Sequence, residues 1–158
     1  MKIRRFRSGE EHSLFEVYYS AIHLIARHDY DAIQINAWAP RDLDQTLWMQ
    51  KIQDIKPFVA EIDGRIVGYA DVQSTGYIDH FFVSGHHPRQ GIGTRLITAL
   101  HEEAALLGLS ELTSDVSRTA QLFFEKFGFS IVELRTPQLR GVIIPNALMR
   151  KCLVIKAE

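Results

Sequence analysis

The chain has 158 residues, 46% of them apolar, enough for a single domain spanning 1–158 that buries its core without disulfide or metal staples. Its 18 Lys and Arg against 19 Asp and Glu leave a net charge of -1, which excludes the broad basic field of a nucleic-acid-binding protein. The lone cysteine, Cys152, cannot form an internal disulfide, and neither a signal peptide nor an apolar run of membrane-spanning length is present, so a soluble protein of the reducing cytoplasm is expected, with no membrane partner.

In chain order, residues 2–7 alternate Ile3 with basic side chains and read as a strand. Ser8 and Glu11 then stand at capping-box spacing for a helix with Leu14, Phe15, Tyr18, Ile22 and Ile25 on one face. Residues 28–40 lack a clean period, and Asp42 and Gln45 offer a cap for a second helix over 43–55, which Pro57 ends. Strands over 58–62 and 65–72 flank Asp63-Gly64, the dipeptide suited to a type I′ hairpin turn. After Ser74-Thr75-Gly76 comes an apolar strand over 77–83, and then a long helix that spaces Ile92, Leu96, Leu100, Ala104 and Leu107 for packing before Gly108 stops it. A strand over 111–114 feeds a helix from near Ser117, with Ala120, Phe123, Phe124 and Phe127 inward and Gly128 as its stop. Two last strands lie near 129–135 and 147–155. No repeat or low-complexity linker interrupts this order, which predicts a mixed α/β sheet.

The junction after the strand at 77–83 carries the chemistry. His87-Pro88-Arg89-Gln90-Gly91-Ile92-Gly93-Thr94 is a Gly-x-Gly turn opening a helix, where free backbone N–H groups and the positive end of the helix dipole suit a phosphate. The same glycines also serve a tight turn that only needs unusual backbone angles. No Gly-Lys-Ser/Thr follows as in a P-loop, and Leu96 fills the third-glycine position of the dinucleotide fingerprint, so neither a nucleoside triphosphate nor a nicotinamide dinucleotide is the expected ligand.

Pro88-Arg89-Gln90-Gly91-Ile92-Gly93 has the spacing and both glycines of the Gln/Arg-x-x-Gly-x-Gly/Ala signature, with Pro88 in its first position. Ala120-Gln121-Leu122-Phe123-Phe124-Glu125-Lys126-Phe127-Gly128-Phe129 follows the pattern Ala-x-x-Phe/Leu-Tyr-x-x-x-Gly-Phe, with Phe124 in place of the tyrosine. With these two motifs and its element order the chain resembles the GNAT superfamily of N-acetyltransferases over nearly its full length. Gln34-Ile35-Asn36-Ala37-Trp38-Ala39, Tyr77-Ile78-Asp79 and residues 117–129, with Phe124 in place of the usual catalytic tyrosine, are similar to an uncharacterised bacterial subgroup of that family. The resemblance implies a GNAT-like mixed, largely antiparallel sheet of about seven strands flanked by about four helices. It also implies direct transfer of acetyl from acetyl-CoA to a primary amine in a ternary complex, with no metal.

By the same resemblance, strand amides around Phe82 and Val83 hold the pantetheine arm, and those of Arg89, Gln90, Gly91, Ile92, Gly93 and Thr94 cradle the pyrophosphate. Ser117, Phe123 and Phe124 complete the cofactor side. Asp79 is the first candidate for taking the amine proton, with Tyr77 beside it; a strand aspartate also arises for structural hydrogen bonding alone. His80 suits a base chemically, but alternation sends it to the opposite face, as a core or interface histidine, unless a bulge reverses its direction. His86 and His87 point apart in an extended loop, so metal binding is not expected. Phe124 has no proton for the departing thiolate, which leaves water or the hydroxyl of Ser117, Tyr69 or Tyr77. Ser117 reads equally as a helix N-cap.

The acceptor, a small-molecule or peptide amine, would meet Tyr30 and Trp38 together with Asp29 or Asp31, although Trp38 also reads as core. Cys152 is expected in the core rather than as a nucleophile. A catalytically weak acyl-CoA-binding module is the alternative, and homodimers are common in the family.

Overall fold

Apolar alternation and capping chemistry build seventeen short elements in the computed structural model, which describes residues 1–154. They are β1 (Lys2–Arg5), α1 (Glu11–Ser20), a π-helical turn (Ala21–Ile25), a 3-10 turn (Ala26–His28), α2 (Ala32–Trp38), α3 (Gln45–Ile55), β2 (Phe58–Ile62) and β3 (Arg65–Ala70). Then follow β4 (Tyr77–Ile78), β5 (Phe81–Val83), α4 (Ile92–Leu106), β6 (Glu111–Ser117), α5 (Gln121–Lys126), β7 (Ser130–Arg135), β8 (Gln138–Leu139), β9 (Val142–Ile143) and β10 (Asn146–Cys152).

The strands form two four-stranded sheets, β1-β2-β3-β5 and β4-β6-β10-β7, with β8-β9 as a separate hairpin. Every pairing is antiparallel except β4 with β6, so the architecture is the expected mixed, largely antiparallel α/β fold. The β2–β3 hairpin turns on Asp63 (φ 50°) and Gly64 (φ 77°), both left-handed as a type I′ turn requires. One core cluster joins α1, α2 and α3 to Val59 and Tyr69 of the first sheet. A second packs Leu96, Leu100 and Ala104 of α4 and Phe124 of α5 against Ala60, Ala70, Val116, Ala147 and Met149, so helices lie on both sides of the first sheet.

Several expectations are corrected. Ser8 does not cap α1: Glu10 stands at the N-cap without a side-chain bond, and the Glu11 carboxylate accepts the Gly9 N–H at 3.0 Å. Residues 28–40 contain α2, held by a capping box between Asp31 and Gln34; seven residues are too few for a period to show. Asp44, not Asp42, caps α3, accepting from Thr46 and Leu47. The last helix starts at Gln121 and β6 runs on to Ser117, so Ser117 is no N-cap. Ile25 and Leu107 are exposed, because a π-helical turn rotates the first out of phase and α4 has ended before the second. Cys152 is exposed at the end of an edge-proximal strand rather than in the core. The last strand covers Asn146–Cys152, and Ile155 of the expected 147–155 lies outside the described residues. Among the described residues no helix is long and apolar enough to cross a membrane.

Candidate functional site

The strand expected over 77–83 is two strands in two different sheets, and the break between them decides where the site lies. On the far side of the chain, Asp71 N donates to His80 O at 3.1 Å and Gln73 N to Tyr77 O at 2.9 Å. Two residues on one side thus span three on the other, the count of a β-bulge at Ile78 and Asp79. The buried Asp71 carboxylate fills the bulge: it accepts the His80 N–H at 2.6 Å, the Asp79 N–H at 3.3 Å and the Gln73 side-chain N–H at 2.7 Å. Burial lifts this carboxyl to about 6, against the pull of those three donors.

Beyond the break, β5 pairs, among the described residues, only with β3. The bonds Asp71 N to His80 O and Ser84 N to Val67 O bracket this pairing. Antiparallel ladders bond alternate residues, so Phe82 faces β3 while the N–H and C=O of Phe81 and Val83 point away from it. Phe82 also lines the groove next described, while its backbone is engaged with β3.

A groove of about 400 Å³ opens along this free edge. One wall is Phe81 to Ser84, the loop from His87 and the start of α4, and the other is Ser117, Thr119, Ala120 and Phe123; Ala21, Ile22, Ile25 and Ala26 of the π and 3-10 turns border it too. Ser20, where α1 yields to the π turn, bonds Val17 O and accepts the Gly85 N–H at 3.0 Å, tying that wall to the loop after β5.

At the mouth of the groove, α4 starts with no side-chain cap, and its first intrahelical bond is Arg95 N to Gly91 O. The N–H groups of Ile92, Gly93 and Thr94 are therefore outside the helical ladder. Arg89 (φ 59°) and Gly91 (φ 74°) are both left-handed, a conformation that curls successive amides into a concave donor set. Gly93 is needed for a different reason, since a Cβ there would stand 3.1 Å from the Phe123 ring.

Most of the expected cofactor residues thus meet in one place: Val83, Arg89, Gln90, Gly91, Ile92, Gly93, Thr94, Ser117 and Phe123 all line the groove. Phe124 does not. It is 2% exposed among Phe81, Phe123 and Phe129, with ring centroids 5.0–5.8 Å away.

The expected catalytic and acceptor residues are spread more widely. Ser117 lies opposite Asn146 in the β6–β10 ladder, on the strand face away from the apolar core. Asp79 and Tyr77 are outside the groove lining: the Asp79 carboxylate pairs with Lys51 of α3 at 2.8 Å, and the Tyr77 hydroxyl donates to Asp115 at 2.8 Å. Burial and the Asp115 charge push the Tyr77 phenol far up, so it stays protonated. Tyr69 is fully buried with its hydroxyl on His80 Nδ1 at 2.9 Å, which removes it as a proton donor to the groove. His80 itself stacks on Tyr18 in the α1 cluster, and burial lowers its imidazole to about 4. Tyr30 is a buckle rather than an open face: its hydroxyl donates to Pro145 O and accepts the Arg118 N–H. Trp38 does line the groove, packed edge-on against Tyr30 and Phe82. Asp29 accepts from the Thr119 hydroxyl and Asp31 caps α2.

Asp71 was not among the expected site residues. Its signal was an acid inside the apolar run Val67-Gly68-Tyr69-Ala70-Asp71-Val72, at a position where a strand buries its side chains. Among the described residues no three His, Cys, Asp or Glu side chains group as metal ligands.

Known proteins share this fold. Residues 26–144 match the acetyltransferase (GNAT) domain family. The uncharacterised N-acetyltransferase YafP of Escherichia coli K12 is 32% identical over 150 residues, covering 95% of each chain. A GCN5-related N-acetyltransferase structure from Rhodopseudomonas palustris superposes with a TM-score of 0.92 at 26% identity, covering 96% of this chain and 95% of the other. The yncA structure from Salmonella typhimurium, which contains acetyl-CoA, shares the fold with a TM-score of 0.70 at 20% identity, covering 100% of this chain and 96% of the other.

Proposed function

The chain belongs to the GNAT acetyltransferase family and is an acetyl-CoA-dependent acyltransferase; from that premise we propose that it transfers acetyl from acetyl-CoA directly to a primary amine in a ternary complex. The observation that carries this reading is the meeting of two donor sets along one groove: the unpaired edge of β5 and the uncapped start of α4. A linear ligand with amides at one end and a pyrophosphate at the other matches that order of donors.

In this reading the amine nitrogen attacks the thioester carbonyl, the C–N bond forms and the C–S bond breaks. The N–H groups of Phe81 and Val83 serve the pantetheine amides and the developing oxyanion. Asp79, at the bulge, takes the amine proton through water; Lys51 holds one carboxylate oxygen and leaves the other free. Thiolate is a tolerable leaving group, and its proton comes from water or from the Ser117 hydroxyl in the groove wall. Trp38, on the wall nearest α2, offers an aromatic face to the amine-bearing substrate, a small molecule or a peptide.

The test is release of free CoA from acetyl-CoA across a panel of polyamines, amino acids and peptides, alongside calorimetric titration of acetyl-CoA. Turnover accelerated by at least one amine supports transfer. Tight binding without amine-dependent turnover supports the second reading, a weak acyl-CoA-binding module, which the buried, hydroxyl-free Phe124 favours.

A further inference from the structure

We propose that Asp71 is a positioning residue that holds β4 and β5 apart, and thereby keeps the polar groups of Phe81 and Val83 turned into the groove. The inference rests on the groove being the acetyl-CoA site. An unbroken strand over 77–83 would alternate through one register and continue a single ladder. Instead, the Asp71 side chain stands where a partner backbone would accept, taking the N–H groups of Asp79 and His80 while its own backbone N–H pairs with His80 O. A third donor, the Gln73 side chain, comes from the same loop and also reaches Ile55 O, at 3.1 Å, fastening the carboxylate to the end of α3. Ser114 anchors the other side of the bulge, donating to Ile78 O at 2.7 Å. The three donors offset the cost of burying this carboxylate, which among the described residues touches no cation, and two of them fix backbone amides in place. The shape it holds is the offset that starts β5 on its own register.

The charge on Asp71 follows from its neighbours. Asp79, with its partner Lys51 from α3, and Tyr77, with its partner Asp115 from β6, face it across the bulge. His80, bonded to Tyr69 of β3 and stacked on Tyr18 of α1, is neutral near pH 7. The carboxyl is thus within reach of protonation at about 6, and loss of its charge weakens the grip on both amides.

The test is calorimetric titration of acetyl-CoA into the full chain, wild type against Asp71→Asn and Asp71→Ala, from pH 5 to pH 8. At pH 8 we expect Asp71→Ala to bind about tenfold more weakly, with Asp71→Asn, which keeps one acceptor for the His80 N–H, in between. The wild-type to Asp71→Asn affinity ratio should shrink towards unity as pH falls through about 6; titration of the cofactor's own phosphate is common to both proteins and cancels. Equal affinities at every pH, with tight wild-type binding, overturn this inference and leave the groove assignment standing. No acetyl-CoA binding by the wild type overturns both. Should the variants not fold, wild-type amide NMR decides. The Asp79 and His80 amides should titrate together near pH 6 and carry those of Phe81 and Val83 with them. Phe81 and Val83 amides that stay fixed while Asp71 titrates overturn the positioning role.

Discussion

The Phe123 ring stands where a side chain on Gly93 would begin: a Cβ at Gly93 would lie 3.1 and 3.2 Å from two of its ring carbons. The start of α4 and the far wall of the groove thus pack closely, and the width of the groove at this end depends on an absent methyl group. Gly93→Ala should force the ring or the helix start to shift and weaken acetyl-CoA binding about tenfold. Gly91→Ala makes a contrast, because nothing lies within 4 Å of a Cβ there and only the φ of 74° is strained. That variant should lose about 1 kcal/mol of stability. Thermal unfolding with and without acetyl-CoA separates the two effects.

Phe124→Tyr is expected to destabilise the chain without raising turnover. The ring is 2% exposed within an aromatic cluster, so a new hydroxyl is desolvated there, and an unpaired one costs about 1–3 kcal/mol. A faster rate of CoA release in this variant would show instead that the hydroxyl reaches the thiolate and that protonation had been limiting.

Stability against pH should show two opposing contributions. The folded Asp71 carboxyl sits at about 6 against an ordinary 3.8, so between these values the folded chain binds the extra proton and stability falls as pH rises. His80 is lowered from 6.5 to about 4, so in its window the unfolded chain binds the extra proton and stability is lost as pH falls. The slopes offset each other between about pH 4 and 6. Asp71→Asn removes the first, and its melting temperature should drop steadily with acid through this range where the wild type stays nearly level. Parallel curves for the two proteins would mean that Asp71 does not titrate there.

Asp79→Asn should lower amine-dependent turnover by about tenfold or more while leaving acetyl-CoA affinity intact. Its ion pair with Lys51 is open to solvent, the side chains being 28% and 48% exposed, so stability should change by no more than about 1 kcal/mol. Lys51→Ala controls for the pair itself. A rate for Asp79→Asn equal to wild type at all pH values would remove Asp79 from the proton path.

What could be read from the chain and what could not divide along physical lines. The Asp63-Gly64 turn, the packed face of α4 and the Gly91-Ile92-Gly93 start were legible because each depends on residues adjacent in sequence or one helical turn apart. The bulge at Ile78 and Asp79 was not, since Tyr77 to Val83 alternates like one strand and the break is imposed from Asp71, outside that segment. The same distance effect hid the spent hydroxyls of Tyr69 and Tyr77, whose partners His80 and Asp115 lie 11 and 38 residues away, and the buckle made by Tyr30.

The sequence by itself determined the family and the uncapped glycine-bearing start of α4, because glycine torsions and a helix start are local properties that any fold containing them must express. Only the tertiary structure decided which backbone groups face the groove. That depends on register between strands, and here a single buried carboxylate, brought across from the end of β3, shifts the register and frees Phe81 and Val83 rather than Phe82.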